Sequence, residues 1–207
     1  MKRIVLLFFA LVWLQTHAQQ AFEGTLFLEV LSADSSEIPK MDFEVKLKGS
    51  MARMNIHSAN IEDYSLIINY ETGESIMLKT HNGEKIAVRG MKNLAEPGAF
   101  NTENSKLKKV AGYNCRKGKI TTEEGSSEVY YSTAFNSSAQ FFGAYSNVPG
   151  LILELHLSKE GNDQVIRAKK LSKRKVKDEE FIIPNEYREM SESEYQLLLP
   201  LFPEMLN

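Results

Sequence analysis

Cys115 carries the most reactive side chain in this sequence, within the stretch KLKKVAGYNCRKGKIT. Strand alternation would place Tyr113 and Cys115 on one face and Asn114 and Arg116 on the other. A thiol beside an aromatic ring on the inner side of a strand behaves as a small apolar group, and a buried thiol is inert. Nucleophilic catalysis needs a paired base, which the neighbouring sequence lacks. We therefore interpret Cys115 as a structural thiol, with an intermolecular disulfide or a nucleophile as the alternatives.

The other residue types that carry catalysis or bind metals are spread along the chain without a recognisable spacing. Beyond the N-terminal segment the histidines are His57, His81 and His156. None of them forms a short metal-binding spacing such as His-x-x-x-His. Carboxylate pairs lie beside expected turns, and we interpret them as solvated charges and not as acid–base pairs. The sequence contains no glycine-rich phosphate loop and no Gly-x-Ser-x-Gly motif. The sequence therefore predicts a protein that is not an enzyme and holds no metal or cofactor.

A run of basic residues follows one expected strand near the end of the chain. If residues 167–177 form a strand, alternation directs five cations to one face: Arg167, Lys169, Lys173, Lys175 and Lys177. Such a basic stripe could meet phosphate headgroups or an acidic partner protein. The alternative is an ordinary solvated sheet face.

A cluster of aromatic residues lies on an expected strand and on the irregular segment after it: Tyr130, Tyr131, Phe135, Phe141, Phe142 and Tyr145. Core packing is one explanation, and lining or covering an apolar ligand cavity is the other. Gly143 and Pro149 suggest a bend that lets adjacent side chains act together. We predict that Phe141 or Phe142, together with Tyr131, borders an apolar cavity, while the basic stripe lies on the outer face.

The elements that must position these residues are mainly β-strands. In MDFEVKLKG, apolar residues from Met41 to Leu47 alternate strictly with charged ones, which predicts a strand with one buried face. YSLIINY and SIMLKT form an expected hairpin across residues 71–73, and Asn82-Gly83 predicts the next turn. FEGTLFLEV, YNCRKGKIT, SSEVYYS, LILELHLSK and QVIRAKKLSKRKV read as further strands.

Helix signals are few, and the clearest lies near the C-terminus. Ser191 and Glu194 form a capping box, and Met190 and Tyr195 are placed as its hydrophobic staple. Pro200 limits this helix to about two turns. The sequence thus predicts a mainly β protein, a single antiparallel sheet with short helices that include one at the C-terminus.

The first residues predict export from the cytoplasm. In MKRIVLLFFALVWLQTHAQQ, two basic residues precede the apolar run Ile4 to Leu14, and small or polar residues follow it. This pattern is typical of a secretory signal peptide, here residues 1–18, and the run is too short for a transmembrane helix. Because the residue directly after the expected cleavage site is Gln19 and not a cysteine, we predict no lipid anchor and a periplasmic or secreted location.

The remainder, residues 19–207, contains no repeat, low-complexity tract or linker and is predicted to form a single domain. The formal net charge of the 207 residues is −2 at pH 7. Such mild acidity argues against nucleic acid as a partner.

Five stretches resemble a known family: FEGTLFLEV, VKLKGSMARM, IINYETGESIMLK, VAGYNCRKGKI and VPGLILEL. The chain is similar, roughly from Phe22 to Tyr187, to the secreted Bacteroidetes family catalogued as domain of unknown function 4412. Members of that family resemble in turn the LolA-like half-barrel of lipoprotein carriers. Cys115 matches the family's Ala-Gly-Tyr-x-Cys segment, whereas the segment EYQLLLPLFPEMLN matches no landmark of the family.

The resemblance implies a strongly curved antiparallel sheet, an open half-barrel, whose concave face is covered by short helices and loops that leave an apolar cavity. It therefore implies a non-catalytic binding protein for a hydrophobic or lipid-like ligand. The alternative is an envelope module for protein–protein interaction or sensing, without a small ligand. The family has no established catalytic residues, so none is carried over to this chain.

Overall fold

The structure is a computed structural model of the chain. This structure describes residues 21–32, 41–58, 62–81, 83–90, 96–123, 125–136, 143–159 and 162–198. The predicted signal peptide, residues 1–18, lies outside these ranges. Among the described residues, no helix has the length and apolar character needed to cross a membrane.

Thirteen strands and one short α-helix make up the described regular structure, with two 3-10 turns at Gly143–Tyr145 and Asp178–Phe181. The first six strands are β1 (Gly24–Ser32), β2 (Met41–Lys48), β3 (Met51–Ser58), β4 (Tyr64–Asn69), β5 (Glu74–His81) and β6 (Glu84–Arg89). The next four are β7 (Ala99–Thr102), β8 (Lys108–Val110), β9 (Tyr113–Thr122) and β10 (Gly125–Ser132). The last are β11 (Leu151–Lys159), β12 (Asn162–Ser172) and β13 (Arg188–Ser191), followed by the helix α1 (Glu192–Leu198).

All thirteen strands belong to one large sheet in the order β13-β6-β5-β4-β3-β2-β1-β12-β11-β10-β9-β7, with β8 also paired to β9. Among the described strands, every pairing is antiparallel except that of β13 with β6. The sheet is open and curved and does not close into a barrel. This architecture confirms the prediction of a mainly β protein with a single curved sheet and a C-terminal helix.

The hairpin between β4 and β5 shows why local sequence predicted this part of the sheet well. The Asn69 side-chain oxygen accepts hydrogen bonds from the backbone N–H groups of Glu71 and Thr72, at 3.0 and 3.3 Å. Gly73 completes the turn with a φ of 74°, a left-handed conformation that glycine adopts without steric cost. The polar turn therefore fixes which residues of β4 and β5 face each other.

The capping box at the start of α1 is present as predicted. The Glu194 carboxylate accepts a hydrogen bond from the Ser191 backbone N–H at 2.7 Å, and the Glu194 N–H donates to the Ser191 hydroxyl at 3.2 Å. Met190 and Tyr195 pack together against Val88 of β6. The seven-residue helix is thus fixed at its N-terminus by its own sequence and docked by its staple.

The main core lies on one face of the sheet, which we call the inner face. Leu26, Val45 and Met54 are paired across β1, β2 and β3, and all three are buried. Residues in register with them continue this buried surface across the sheet: Leu28, Leu47, Ala52, Ile56, Val129, Leu155, Ile166 and Ala168. The opposite, outer face carries polar side chains at its centre, where the Asn55 amide donates to Glu44 at 2.9 Å.

One connection crosses the outer face. Residues 173–187 join β12 in the middle of the sheet to β13 at its edge, and we call this segment the strap. Seven strand spacings separate β12 from β13, about 34 Å at 4.8 Å each. Fifteen extended residues can span about 50 Å, so the strap has length to spare.

The expected strand over residues 167–177 is therefore only partly correct. Strand β12 ends at Ser172, which is paired with Thr25 near the start of β1. Because β1 begins at Gly24, it has no residue that could form backbone hydrogen bonds with the chain after Ser172. A strand needs such a partner for its backbone groups, and Lys173 to Lys177 accordingly leave the sheet and enter the strap.

Candidate functional site

A cavity of about 260 Å³ lies between the strap and the outer face of the sheet. Its sheet side is formed by Met51, Ile67 and Ile76 from β3, β4 and β5. Its strap side is formed by three consecutive apolar residues, residues 181–183. Three polar side chains complete the lining: Asn69, Glu74 and Arg89. The cavity thus combines apolar walls with a few polar groups, the composition typical of small-ligand sites.

The apolar walls follow from strands that are covered on both faces. Ile86, Ala87 and Val88 of β6 are consecutive and all buried. Successive side chains of a strand point to opposite faces, so a run of buried residues requires cover on both sides. On the inner face Ile86 and Val88 pack with Met190, and on the outer face Ala87 belongs to a cluster that includes strap residues.

Strand β4 shows the same pattern as β6. Its residues Ile67 and Ile68 are adjacent and both buried. The apolar runs Leu-Ile-Ile in β4, Ile-Met-Leu in β5 and Ile-Ala-Val in β6 were therefore a sequence signal for a covered outer face.

Ion pairs hold the first part of the strap on the sheet. Lys48 Nζ lies 2.6 Å from an Asp178 carboxylate oxygen, and Lys46 Nζ lies 2.8 Å from Glu180. Arg53 donates from Nη1 to the backbone oxygen of Glu180 at 3.0 Å. The hydrogen bond to Asp178 raises the pKa of Lys48 above its ordinary value. Asp178 is 83% exposed, so its pair with Lys48 contributes little, whereas Lys46 and Arg53 are each less than 20% exposed and hold Glu180 more firmly.

The second part of the strap is held by one lysine near the edge of the sheet. Lys85 Nζ lies 3.2 Å from Glu186 and 5.6 Å from the centre of the Tyr187 ring. Phe181 and Ile183 contribute apolar contacts between these two ionic attachments. The strap therefore rests on the sheet through an apolar middle with charged contacts on both sides of it.

Charged groups around the cavity are close to balanced. Arg89 Nε donates to the Glu189 carboxylate at 2.6 Å, and both side chains are about half exposed. Glu74 is the carboxylate in the lining itself. The Asn69 oxygen is already engaged by backbone N–H groups of the β4–β5 turn. The polar groups therefore do not favour a strongly charged ligand in this cavity.

Tyr131 is a core residue in this structure and does not line the cavity under the strap. Its side chain is 1% exposed. Its ring packs edge-on against Phe100 with 5.5 Å between ring centres, and its hydroxyl lies 3.1 Å from the Thr102 hydroxyl. Phe141 and Phe142, the other residues predicted to border a cavity, lie outside the described residues, so their role stays a prediction.

The five residues of the predicted basic stripe have different surroundings. Arg167 Nε donates to Glu154 at 2.7 Å, and Lys169 Nζ lies 2.5 Å from Asp42. Lys173 Nζ stands 4.7 Å from the centre of the Phe135 ring. Lys175 and Lys177 are exposed in the strap. The structure thus places Arg167 and Lys169 in ion pairs on β12 and distributes the other three over an irregular segment.

Cys115 is fully buried on β9. Its thiol lies 3.6 Å from the backbone oxygen of Tyr113, to which it can donate a weak hydrogen bond. Burial raises the pKa of the Cys115 thiol to about 11. The thiolate, which is the reactive form, is therefore scarce at neutral pH. This environment favours the structural interpretation over a nucleophile.

We expect Cys115→Ala to fold and to lose about 1–2 kcal/mol of unfolding free energy, because a small cavity replaces the sulfur. Chemical denaturation of both proteins measures the difference. A thiol reagent should label native wild-type protein only slowly, at a rate set by opening of the fold. Fast labelling without denaturant, or a dimer linked through Cys115, would contradict the structural interpretation.

No family model matches this sequence, and no curated protein matches it. Membership of the family named in the sequence analysis therefore stays a hypothesis. Among solved structures, PNGF-II is similar in two crystal forms, with a TM-score of 0.52 in each and identities of 16% and 15%. The match covers 86% of this chain and 33% of PNGF-II, so the chain spans about a third of that protein's length.

Two further solved structures are similar at lower scores. MucB in complex with MucA(peri) has a TM-score of 0.45 and 10% identity, covering 79% of this chain and 55% of MucB. LprF from Mycobacterium bovis has a TM-score of 0.40 and 11% identity, covering 80% of this chain and 90% of LprF. At these identities the likeness to PNGF-II concerns the fold alone, and we base no argument on the other two structures.

Proposed function

We propose that this protein is a non-catalytic binding protein of the cell envelope that takes up a small hydrophobic group between its strap and its sheet. The observation that carries the proposal is the cavity with apolar residues on both sides, from Met51 and Ile76 to Phe181 and Ile183. The signal peptide predicted over residues 1–18 supports a periplasmic or secreted location. This site lies on the outer face of the sheet, opposite the main core.

The size of the cavity limits the ligand. An apolar cavity of about 150 Å³ takes up benzene, and sites for drug-sized ligands begin at about 300 Å³. A volume of about 260 Å³ therefore suits one ring or a short alkyl segment. A complete lipid would leave most of its acyl chains outside. The proposed ligand class is accordingly an uncharged small hydrophobic molecule, or the end of a longer chain.

Ile182 is the residue best placed to respond to a ligand. It lines the cavity and is 60% exposed, so much of its apolar surface remains in contact with water. A ligand that fills the cavity would bury more of Ile182 and gain about 25 cal/mol for each Å² of apolar surface removed from water. The exposed isoleucine therefore offers binding energy that the folded protein does not use for its own stability.

We expect Ile182→Ala to weaken binding of benzene or 1-hexanol about fivefold, because the ligand loses part of its apolar cover. Saturation-transfer NMR on the mature protein measures the binding. The unfolding free energy should change by less than about 0.5 kcal/mol, since the side chain is largely exposed. Leu107→Ala is the matched control, because Leu107 is also 60% exposed and does not line the cavity.

Equal affinities in the two variants would place the probes elsewhere and overturn the proposed site. Absence of probe binding to the wild-type protein would have the same consequence. Both probes are uncharged, so ion pairs elsewhere on the protein do not compete for them.

A second candidate function is protein–protein interaction without a small ligand. The observation that favours it is the exposed Ile182 beside a cavity large enough for one apolar side chain of a partner. Native mass spectrometry and lipid extraction of protein purified from its own periplasm separate the two functions. A retained small hydrophobic molecule supports the first, and a copurified protein that is lost in an Ile182→Asp variant supports the second.

A further inference from the structure

We propose that the outer face of β8, β11 and β12 carries a second binding site, one for an oxyanion, formed by Lys108, His156 and Arg167 around the buried carboxylate of Glu154. The proposal does not depend on the cavity under the strap, which lies over β3 to β6. None of the residues of that cavity takes part in it.

Glu154 is the centre of the cluster, and its side chain has no exposed surface. Lys108 Nζ donates to one of its oxygens at 2.6 Å, and Arg167 Nε donates to the other at 2.7 Å. His156 contacts Glu154 through Nε2. Three cationic or potentially cationic side chains from three strands therefore share one carboxylate.

Burial alone would oppose ionisation of Glu154. Hydrogen bonds from His156, Lys108 and Arg167 outweigh that effect and hold the pKa of Glu154 below its ordinary value. The carboxylate is thus ionised at neutral pH and orients its three partners. A buried, ionised carboxylate of this kind is a rigid support for the groups around it.

Positive charge exceeds negative charge within the cluster. Lys108 and Arg167 are permanent cations at neutral pH, and Glu154 neutralises only one of them. Each of the three basic side chains is between 34% and 40% exposed, so each reaches solvent. The four hydrogen-bonded side chains therefore carry one net positive charge, and an anion site requires such a charge on an immobilised support.

Arg167 has hydrogen-bonding capacity that the protein does not use within the described residues. Its Nε is bound to Glu154, and no described residue accepts a hydrogen bond from Nη1 or Nη2. These two groups form the edge with which guanidinium binds carboxylate or phosphate oxygens in pairs. Because Nε is held, the remaining edge has a fixed direction, which lowers the entropy cost of binding.

Tyr130 forms the aromatic part of the site. Lys108 Nζ stands 4.5 Å from the centre of its ring, and the His156 ring lies 5.5 Å away. The cation over the ring gains electrostatic stabilisation without neutralising its charge. Lys108 therefore remains available to an anion while its position is fixed by both Tyr130 and Glu154.

Two further carboxylates flank the cluster. Glu128 lies opposite His156 in the sheet but is paired with Lys117 at 2.7 Å. Glu29 lies opposite Arg167, and its negative charge reduces the local positive potential. Removing this negative charge should therefore have the opposite effect to removing a cation of the cluster: Glu29→Gln should strengthen binding of an anion.

The ligand chemistry is that of an oxyanion group, whether a phosphate, a sulfate or a carboxylate. In wild-type mature protein, we expect the His156 ring signals in ¹H–¹³C NMR to shift and saturate as inorganic phosphate is added at constant ionic strength. His57 is the internal control, since it is exposed and paired with Asp63 far from β11 in sequence. Parallel titrations with sulfate and acetate show whether tetrahedral or planar oxyanions are preferred.

Arg167→Gln should weaken phosphate binding about tenfold, because a charge-assisted pair of hydrogen bonds is lost. Arg188→Gln is the matched control, as Arg188 is an exposed arginine paired with Glu84. Glu29→Gln should increase the affinity several-fold. If Arg167→Gln does not fold, the phosphate titration of the wild-type protein still tests the proposal. His156 shifts that do not saturate, or that merely match those of His57 with all three anions, would overturn the proposal.

Discussion

Tyr131→Ala is expected to lower the free energy of unfolding by about 3–5 kcal/mol, because it empties the space of a fully buried aromatic ring. Tyr131 is 1% exposed and packs edge-on against Phe100 on the edge strand β7. Urea denaturation of the two proteins measures the loss. Binding of benzene or 1-hexanol should be unchanged under conditions in which the variant is folded, since Tyr131 does not line the cavity under the strap.

Tyr131→Phe is the matched control for this variant. It keeps the ring and removes only the hydroxyl that lies 3.1 Å from Thr102, so a loss of about 1 kcal/mol is expected. A small loss of stability in Tyr131→Ala combined with weaker probe binding would contradict the core assignment. It would instead favour the role predicted from the sequence, in which Tyr131 borders a ligand cavity with Phe141 or Phe142.

Glu154→Gln is expected to lower the free energy of unfolding by about 3 kcal/mol at pH 7, because a neutral amide with one acceptor oxygen replaces the buried carboxylate that pairs with three basic side chains. Glu154 has no exposed surface, and its oxygens accept hydrogen bonds from Lys108 and Arg167. Chemical denaturation measures the loss. The matched control is Glu189→Gln, which breaks a half-exposed pair with Arg89 and should cost at most about 1 kcal/mol.

The same variant should change the response to acid. The pKa of Glu154 in the folded protein lies below the ordinary value of 4.5, so the ionised form favours folding. Its contribution is complete above about pH 4.5 and is lost as the pH falls through the lower, folded-state pKa. The stability difference between wild type and Glu154→Gln should therefore shrink below pH 4.5. A difference that stays constant from pH 7 to pH 3 would show that Glu154 acts through packing and not through its charge.

Local sequence predicted much of the sheet correctly. Alternation in Met41 to Leu47 matches β2, which extends from Met41 to Lys48. The turn at residues 71–73 joins β4 to β5, and the capping box at Ser191 and Glu194 begins α1. Each of these features depends on residues within a few positions of one another, so their cause is visible in a short stretch of sequence.

Strands β3, β7, β8 and β13 were not predicted. The three- and four-residue strands β7, β8 and β13 are too short for alternation to be recognised, and they exist because β9 and β6 offer free edges. Strand β3 follows the turn at Gly49, whose φ is 57°, but its sequence MARMNIHS mixes apolar and polar residues on the outer face.

Neither candidate site could be found by looking for catalytic or metal-binding spacings. Glu154 is a single carboxylate inside the apolar run LILELHL, which is a signal that the charge is buried and paired, but its partners come from β8 and β12. The cavity depends on the strap, whose contacts join residues 134 and 130 positions apart, Lys46 to Glu180 and Lys48 to Asp178.

By itself the sequence determined the mainly β class, the hairpins and the C-terminal helix of this protein, because alternation, turn residues and caps act between near neighbours. Only the tertiary structure decided that residues 173–187 cross the outer face, that Glu154 is buried, and that Tyr131 belongs to the core. The physical reason is that burial depends on which distant segments cover a face. A pleated strand exposes its two faces alike until another part of the chain packs against one of them.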